Sequence, residues 1–577
     1  MTEDRNYWRS LPSRRPSRRQ VLLSGAAGIG GMALAACGTN RSASQSGSPS
    51  SGVTGGQSGA GTPLLGGTFN WYEIGNPTLN PHTNARYWTQ RAAGAVMSRV
   101  VRYKASPDPK VSANREVESD LAVTLESPDG ITWTARLRPD AKFQNVAPVN
   151  GRAVEAEDVK ATFIAALTNP KNANRESLGM IDETKIETPS KDTVVFHLKF
   201  PYAPFKKTLA SPTYSWVFPR EAFSGGYDPE KQLIGSGPFL FDSFTPDVAV
   251  LYKRNPSWFE QGRPYVDGAR YAIIPDTSQQ NAQFSSGNLD LITQIEDNDL
   301  DALKRNRPQA TLITAPPGVP GWVFGQLGDP SSVWADVRVR RAVSMAIDRE
   351  ALAKIVAPRG GELQLVVGTS FGKWALKPAD LPADIAPYYK YDPAGARKQL
   401  EAAGRQNFEF SFIYTNNGYG ARFNTTAETI NGMLSTAGFK TKLVTIDYQR
   451  EYVGGGKGVR YGSAPPDAMV YGLTSGFDEP DEVLFNYFHS KSALRNTSVK
   501  DPTLDGMIDK ERTTLDENER QKAVLDIQRY LADKAYLVGG LPTPYGYSMV
   551  QPWVHNFNST TSYGVFTESY AGLWLKK

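Results

Sequence analysis

The sequence Asp336-Val-Arg-Val-Arg-Arg-Ala-Val-Ser-Met-Ala-Ile-Asp348 carries a clear helical pattern. Its apolar positions recur at intervals of three and four residues, and they are Val339, Ala342, Val343, Ala346 and Ile347. Side chains at this spacing lie on one face of an α-helix. The stretch therefore predicts an amphipathic helix whose apolar face is buried in a core.

Further strands and helices are predicted on both sides of this helix. Residues 131–138 alternate strictly between apolar and polar side chains, as do Val194, Phe196 and Leu198, so both segments are predicted strands. Helices are predicted at 86–101, from Glu155 onward, at 396–403, 423–436 and 517–534. A chain of this length exceeds what one hydrophobic core supports. The mixture predicts an α/β or α+β protein with two or more domains.

An export leader is predicted at the N-terminus. A basic segment ends in Arg18 and Arg19, an uncharged run follows, and the run ends in Leu34-Ala35-Ala36-Cys37. This order is typical of a signal peptide, and the run is too short to anchor a mature protein in a bilayer. The segment resembles the leader of a bacterial lipoprotein exported by the twin-arginine route, although the general secretory route stays open. The resemblance implies that residues 1–36 are removed and that Cys37 becomes the diacylated first residue.

The leader also explains the positive charge of the chain. Residues 1–36 hold six arginines and two acids, so 58 basic and 57 acidic residues remain after its removal. A protein with this balance lacks the basic surface that nucleic-acid binding needs, and no nucleic-acid partner is expected. Residues 37–66 are mostly Ser, Gly, Thr and Ala, a composition that predicts a flexible tether.

The sequence lacks the motifs of common enzymes. Gly472-Leu-Thr-Ser-Gly476 places its serine one position late for a nucleophile elbow, and Gly454-Gly-Gly-Lys-Gly458 lacks the spacing of a phosphate loop. The four histidines are far apart in the sequence, and Cys37 is the only cysteine. We therefore expect a binding protein without catalytic residues, metal or cofactor.

Several short segments, taken in order, resemble one family. They are Leu79-Asn-Pro, Leu137-Arg-Pro-Asp-Ala-Lys-Phe143, Ala156-Glu-Asp-Val159, Gly235-Ser-Gly-Pro238, Asn255-Pro-Ser-Trp258, Ser286-Gly-Asn-Leu-Asp290, the 336–348 helix, Tyr391-Asp-Pro393, Ala402-Ala-Gly404 and the helix over 516–528. Together they are similar to the extracytoplasmic solute-binding proteins of ABC importers, family 5, which includes the oligopeptide, dipeptide and nickel binders. The resemblance covers roughly residues 67–574.

The resemblance implies an α/β fold: a two-lobed periplasmic-binding-protein clamshell with a hinge and a small extra domain inserted in the first lobe. Lobe I would comprise 67–106, 228–320 and 545–577, with the inserted domain at 107–227 and lobe II at 321–544. The chain would cross between the lobes near 318–323 and 541–545. A ligand that contacts both lobes favours the closed state.

The resemblance also places a ligand-binding segment in lobe II. Peptide-binding relatives carry an aspartate there that pairs with the α-ammonium of the ligand. Here Gly476 stands at that position, and Asp478 or Glu479 is a candidate replacement. The other candidate ligand contacts are aromatic rings and amides near the cleft: Trp322, Trp374, Asn416, Asn417, Tyr419, Tyr471 and Phe477.

The expected role is capture of a solute, most simply an oligopeptide, and its delivery to the permease subunits of an ABC transporter with a cytoplasmic ATPase. The protein would be a monomer held on the outer face of the cytoplasmic membrane by the lipid at Cys37. The missing aspartate keeps an oligosaccharide ligand open. A nickel chelate, haem and a cell-wall hydrolase or sensor are further alternatives.

Overall fold

The computed structural model describes residues 61–84, 86–172, 175–213, 215–317, 320–454, 457–473, 478–492, 497–557 and 566–577, which belong to one compact unit. The strands are β1 (Thr68–Glu73), β2 (Val101–Tyr103), β3 (Val117–Ser119), β4 (Ala122–Glu126), β5 (Thr132–Leu137), β6 (Ile181–Ser190), β7 (Thr193–Leu198), β8 (Phe239–Thr245), β9 (Ala249–Arg254), β10 (Gly268–Ile273), β11 (Leu291–Ile292), β12 (Thr311–Ala315), β13 (Gly321–Gly325), β14 (Gly361–Gln364), β15 (Glu409–Thr415), β16 (Lys440–Ile446), β17 (Met469–Leu473), β18 (Leu541–Pro544), β19 (Gly546–Val550), β20 (Val554–His555) and β21 (Trp574–Leu575).

The α-helices are α1 (Tyr87–Gly94), α2 (Pro109–Ala113), α3 (Ala156–Thr168), α4 (Phe205–Ala210), α5 (Thr277–Ser286), α6 (Leu300–Asn306), α7 (Val337–Ala346), α8 (Arg349–Val356), α9 (Pro393–Ala402), α10 (Ala421–Thr436), α11 (Pro480–Phe488), α12 (Pro502–Thr513), α13 (Glu517–Lys534) and α14 (Phe566–Tyr570). Short 3-10 helices occur at Arg175–Leu178, Arg220–Ala222, Val333–Ala335, Thr369–Trp374, Pro378–Asp380, Ala386–Tyr389 and Val459–Tyr461, and a π-helix at Tyr448–Val453. No helix in these described ranges is both long enough and apolar enough to span a membrane.

Three four-stranded sheets organise the strands. The first has the order β1-β10-β9-β8, with β1 parallel to β10. The second is the antiparallel sheet β4-β5-β7-β6, and the third is β13-β17-β15-β16, in which β15 runs parallel to both of its neighbours. Each sheet contributes to a separate hydrophobic core, and helices cover the third sheet.

The helix over 336–348 is confirmed as α7. The Asp336 side chain accepts a hydrogen bond from the Arg338 backbone N–H, which caps the first turn. The five apolar side chains of the predicted face are all buried. They pack in the same core as Phe412 of β15 and Ile430 of α10.

The segment 86–101 is only partly the helix that its sequence predicts. Helix α1 ends at Gly94. The carbonyls of the next two residues accept hydrogen bonds from another segment. Ala95 accepts the Phe239 N–H (3.0 Å), and Val96 accepts the Gly237 N–H (2.8 Å). A Cβ on Gly235 would lie 2.1 Å from the Val96 carbonyl oxygen, so only glycine fits at this approach. Tertiary backbone bonds therefore end the helix early.

Two chain crossings lie side by side. Strands β12 and β19 pair with each other. The chain leaves β12 for β13, which pairs with β17, and it enters β19 from β18, which pairs with β14. Ala315 faces Gly546 in the β12–β19 pair, and Pro544 faces Gly361 in the β18–β14 pair. Tyr545 alone separates β18 from β19 and donates its N–H to the Gly360 carbonyl (3.3 Å).

Arg349 joins three segments next to α7 through backbone carbonyls. Its guanidinium, 4% exposed, donates to Ser344 (2.8 Å), Tyr389 (3.1 Å) and Gly539 (2.9 Å). We expect Arg349→Met to lower the free energy of unfolding by about 3 kcal/mol, because several buried carbonyls lose their donor. The control Arg338→Met removes a half-exposed ion pair and should cost less than about 1 kcal/mol. Urea unfolding measures both, and equal losses would contradict the role of Arg349.

Candidate functional site

The start of helix α11 concentrates buried acidic side chains. Pro480 occupies its first turn, and Glu479 and Glu482 form a reciprocal capping box. The Glu482 carboxylate accepts the backbone N–H groups of Asp478 (3.0 Å) and Glu479 (3.2 Å). Free N–H groups and the helix dipole stabilise negative charge at this end of a helix. The local sequence therefore explains why acids gather here, although each of these acids also has partners from elsewhere.

Asp478 is bound by residues that follow α4. Its Oδ2 accepts hydrogen bonds from the hydroxyls of Ser211 (2.7 Å) and Thr213 (3.1 Å), and the Arg115 Nη1 lies 3.9 Å from Oδ1. The residue is 2% exposed. Asp478, the candidate partner for a ligand's ammonium group, therefore contacts the segment that follows α4. Helix α4 packs on the β4–β7 sheet.

Glu479 lies in an ionic cluster. It forms an ion pair with Arg520, and the Lys207 ammonium is 3.6 Å from its Oε2. Burial opposes ionisation of Glu479, but Arg520 and Lys207 outweigh it and hold the pKa of Glu479 below its usual value. Burial lowers the pKa of Lys207, although Glu479 acts in the opposite direction.

Trp374 forms one wall of this cluster. It is 1% exposed, and the Lys207 ammonium and the Arg520 guanidinium carbon lie 4.3 Å and 4.9 Å from the centre of its ring. Cations over an indole face are attracted by its electron density. In this conformation Trp374 contacts cationic side chains of the protein itself.

A cavity of about 670 Å³ opens beside the cluster. Its lining comes from the β4–β7 side and from the α13 side, and it comprises Asn114, Arg115, Glu116, Val117, Trp133, Ala203, Lys206, Lys207, Lys373, Leu515, Glu517 and Arg520. Cationic residues outnumber acidic ones on this surface. Of the predicted contacts, three touch cavity-lining residues. Trp374 and Glu479 contact Lys207 and Arg520, and Asp478 lies 3.9 Å from Arg115.

A second group of predicted residues meets at the end of β15. Tyr419 packs on Phe423 (4.8 Å between ring centres), and Phe423 stacks on Tyr471 (4.5 Å). Asn417 is exposed and joins two loops, donating to Asp447 (2.9 Å) and accepting the Tyr448 N–H (2.8 Å).

The remaining candidates divide between surface, core and undescribed segments. Asn416 is exposed, and its carbonyl accepts a hydrogen bond from Asn424 (3.1 Å). Trp322 is 1% exposed, donates to the Leu365 carbonyl (3.3 Å) and packs edge-on against Tyr487. Five predicted residues lie outside the described ranges: Arg18, Arg19, Cys37, Gly476 and Phe477.

Sequence reasoning missed the cationic and hydroxyl residues of this site. Arg115, Lys207, Ser211, Thr213 and Arg520 have no motif that marks them. The acidic run Asp478-Glu-Pro-Asp-Glu482 was the available signal, because so many acids at one helix start need compensating partners when they are buried. Among the described residues, no group of three or more His, Cys, Asp or Glu side chains is arranged to hold a metal ion.

Comparison with known proteins identifies the family. The family model described as bacterial extracellular solute-binding proteins, family 5 middle, matches residues 116–494. The chain belongs to this family. Its fold is the mixed α/β, two-lobed clamshell expected from the sequence.

Three relatives illustrate the extent of the similarity. The chain is 24% identical over 532 residues to the oligopeptide-binding protein AppA of Bacillus subtilis, covering 87% of this chain and 89% of the relative. It is 26% identical over 458 residues to di/tripeptide-binding protein 1 of Pseudomonas aeruginosa, covering 75% and 81%. The structure of the periplasmic binding protein DppA from Helicobacter pylori in complex with the peptide STSA matches with a TM-score of 0.70 at 19% identity, over 89% of this chain and 99% of that one.

Glu511 gives the site a measurable pH dependence. Burial raises its pKa to about 8, although Arg520 at 2.7 Å acts in the opposite direction. Its folded pKa lies above the unfolded value near 4.5, so the folded state binds the extra proton. Its contribution to stability is full below about pH 4.5 and is lost as pH rises through about 8.

We therefore expect Glu511→Gln to reduce the loss of stability between about pH 5 and 8. Urea unfolding at a series of pH values measures the slope. The control is Glu519→Gln, an exposed residue of α13 that should leave the slope unchanged. A slope in Glu511→Gln equal to that of the unmodified protein would contradict the raised pKa.

Proposed function

We propose that the protein is a lipid-anchored, extracytoplasmic binding protein that captures peptides between its lobes and delivers them to an ABC permease. The observation that carries the proposal is the near-full-length similarity to relatives named for oligopeptide and di/tripeptide binding. Similarity over 87% of the chain and 89% of that relative supports closure by the same kind of movement.

The lobes of the proposal follow the division expected from the sequence. Lobe I is assigned to 67–106, 228–320 and 545–577, the inserted domain to 107–227 and lobe II to 321–544. The pairing of β12 with β19 supports this division, because it brings the end of β12 next to Tyr545 and two neighbouring connections restrict motion to a rotation about them. The aromatic group around Tyr419 and Tyr471 and the α11 start are the proposed lobe II contributions to the binding surface.

Binding of peptides without turnover is the direct prediction. Peptides of two to nine residues should raise the melting temperature of the full-length protein by a few degrees, since a ligand that binds only the folded state stabilises it. Differential scanning fluorimetry measures the shift, with N-acetylated peptides showing whether the α-ammonium is required. Mass spectrometry of the recovered peptides should find them intact. A shift with cello-oligosaccharides and none with any peptide would overturn the peptide proposal.

Lipid attachment at Cys37 is a separate prediction. Cys37→Ser should move the protein from the membrane fraction to the soluble fraction, because the thiol is the proposed site of diacylation and no other cysteine can replace it. Immunoblotting of fractions from expressing bacteria measures the change. Ser44→Ala in the adjoining tether is the matched control and should stay with the membrane. Membrane retention of Cys37→Ser would contradict the anchor.

A further inference from the structure

The residues 202–213 and the start of α11 belong to different hydrophobic cores. Phe205 and Leu209 of α4 pack with the β4–β7 sheet, whereas Val483 and Leu484 of α11 pack with Val524 of α13 and its neighbours. The two segments meet through polar groups. Their contact is therefore a boundary between separately packed bodies.

The α11 side of this boundary concentrates buried acidic side chains. Its described carboxylates are Asp478, Glu479, Asp481, Glu482 and Glu511, each 8% exposed or less. Two guanidinium groups of the same side form ion pairs with these acids. Arg520 pairs with Glu479 and Glu511, and Arg512 lies 3.1 Å from Asp481. Burying carboxylates without enough cations or donors is costly. Donors from the opposite body therefore lower the cost of burying this surface.

The 202–213 segment supplies those donors. The Tyr202 hydroxyl donates to Asp481 (2.7 Å), the hydroxyls of Ser211 and Thr213 donate to Asp478, and Lys207 lies beside Glu479. One backbone bond also crosses the boundary, from the Ala203 N–H to the Arg512 carbonyl (2.7 Å). Hydrogen bonds to a charged acceptor are stronger than neutral ones.

We propose that these contacts form a latch that holds the clamshell closed in the absence of ligand. When the two bodies separate, water solvates the acids of α11 and the hydroxyls of the 202–213 segment. When they meet, Asp478, Glu479 and Asp481 exchange water for donors of the opposite body. The fraction of closed molecules is then set by the protein's own residues as well as by the solute. Because a solute meets a mixture of open and closed molecules, a change in this fraction changes the apparent affinity for every ligand.

The latch goes beyond the proposed function and does not depend on which solute binds. Its test therefore needs no ligand. Two exposed positions, Glu126 on β4 and Lys440 on β16, are replaced by cysteine in a full-length chain that also carries Cys37→Ser. Spin labels at these positions report the distance between the two bodies by double electron–electron resonance.

Tyr202→Phe, which removes one oxygen atom, should raise the ratio of open to closed molecules about tenfold, because a buried carboxylate loses a hydroxyl donor. The pair Ser211→Ala with Thr213→Val should act in the same direction and provides a second variant. Tyr389→Phe is the matched control: its hydroxyl bonds the Ala532 carbonyl (3.2 Å) within one body, so the distance distribution should not change.

Two outcomes would overturn the latch. One is an unmodified chain that is wholly open without ligand. The other is a distance distribution in Tyr202→Phe and in the double variant that coincides with that of the unmodified chain. Melting temperatures of all variants establish that each one is folded, and the peptide fluorimetry reports the proposed function independently of either result.

Discussion

The compensation of buried carboxylates at the start of α11 is the constraint on which the closed arrangement depends. Asp478, Glu479 and Asp481 are each 2% exposed or less, and their donors come both from α13 and from the 202–213 segment. If either set of donors were withdrawn without water replacing it, the remaining charge would cost several kcal/mol. The 202–213 segment and the α11 start are therefore joined by polar groups, while each packs into its own apolar core.

This division of roles suits a protein that opens and closes. A contact made of polar groups exchanges protein partners for water at small net cost, whereas separating two apolar cores would not be reversible at comparable cost. In the proposed motion, the pairing of β12 with β19 is kept and the backbone turns at Tyr545. The chain belongs to a family of solute-binding proteins, and the proposed motion would enclose such a solute.

The sequence predicted the regular elements well because their signals are local. Val524, Ile527 and Leu531 recur at helical spacing, and the predicted helix over 517–534 is α13 residue for residue. The end of α1 could not be predicted, since Gly94 is followed by backbone bonds to a segment about 140 residues away. The fold class came from the order of short motifs, and the family comparison confirms it.

The site was predictable only in part. Asp478 and Glu479 are candidates because the resemblance places the family's binding segment around Gly476. Lys207 and Ser211 come from a different body, and no local pattern connects them to these acids. Trp322 illustrates the opposite difficulty: an aromatic residue near a cleft and one in a core look alike in sequence, and here the ring is buried against Tyr487. Ion pairs between residues that are far apart in the sequence, such as Lys207 and Glu479, depend on the tertiary structure, so the sequence alone does not predict them.

We propose that closure brings the α11 start and the 202–213 segment into direct contact. Hydrogen exchange at the Ala203 amide tests it most directly, because this N–H bonds the Arg512 carbonyl across the boundary. We expect a bound peptide to slow exchange at Ala203 and at the amides of Asp478 and Glu479 together. Slowed exchange at Asp478 and Glu479 with no change at Ala203 would contradict it.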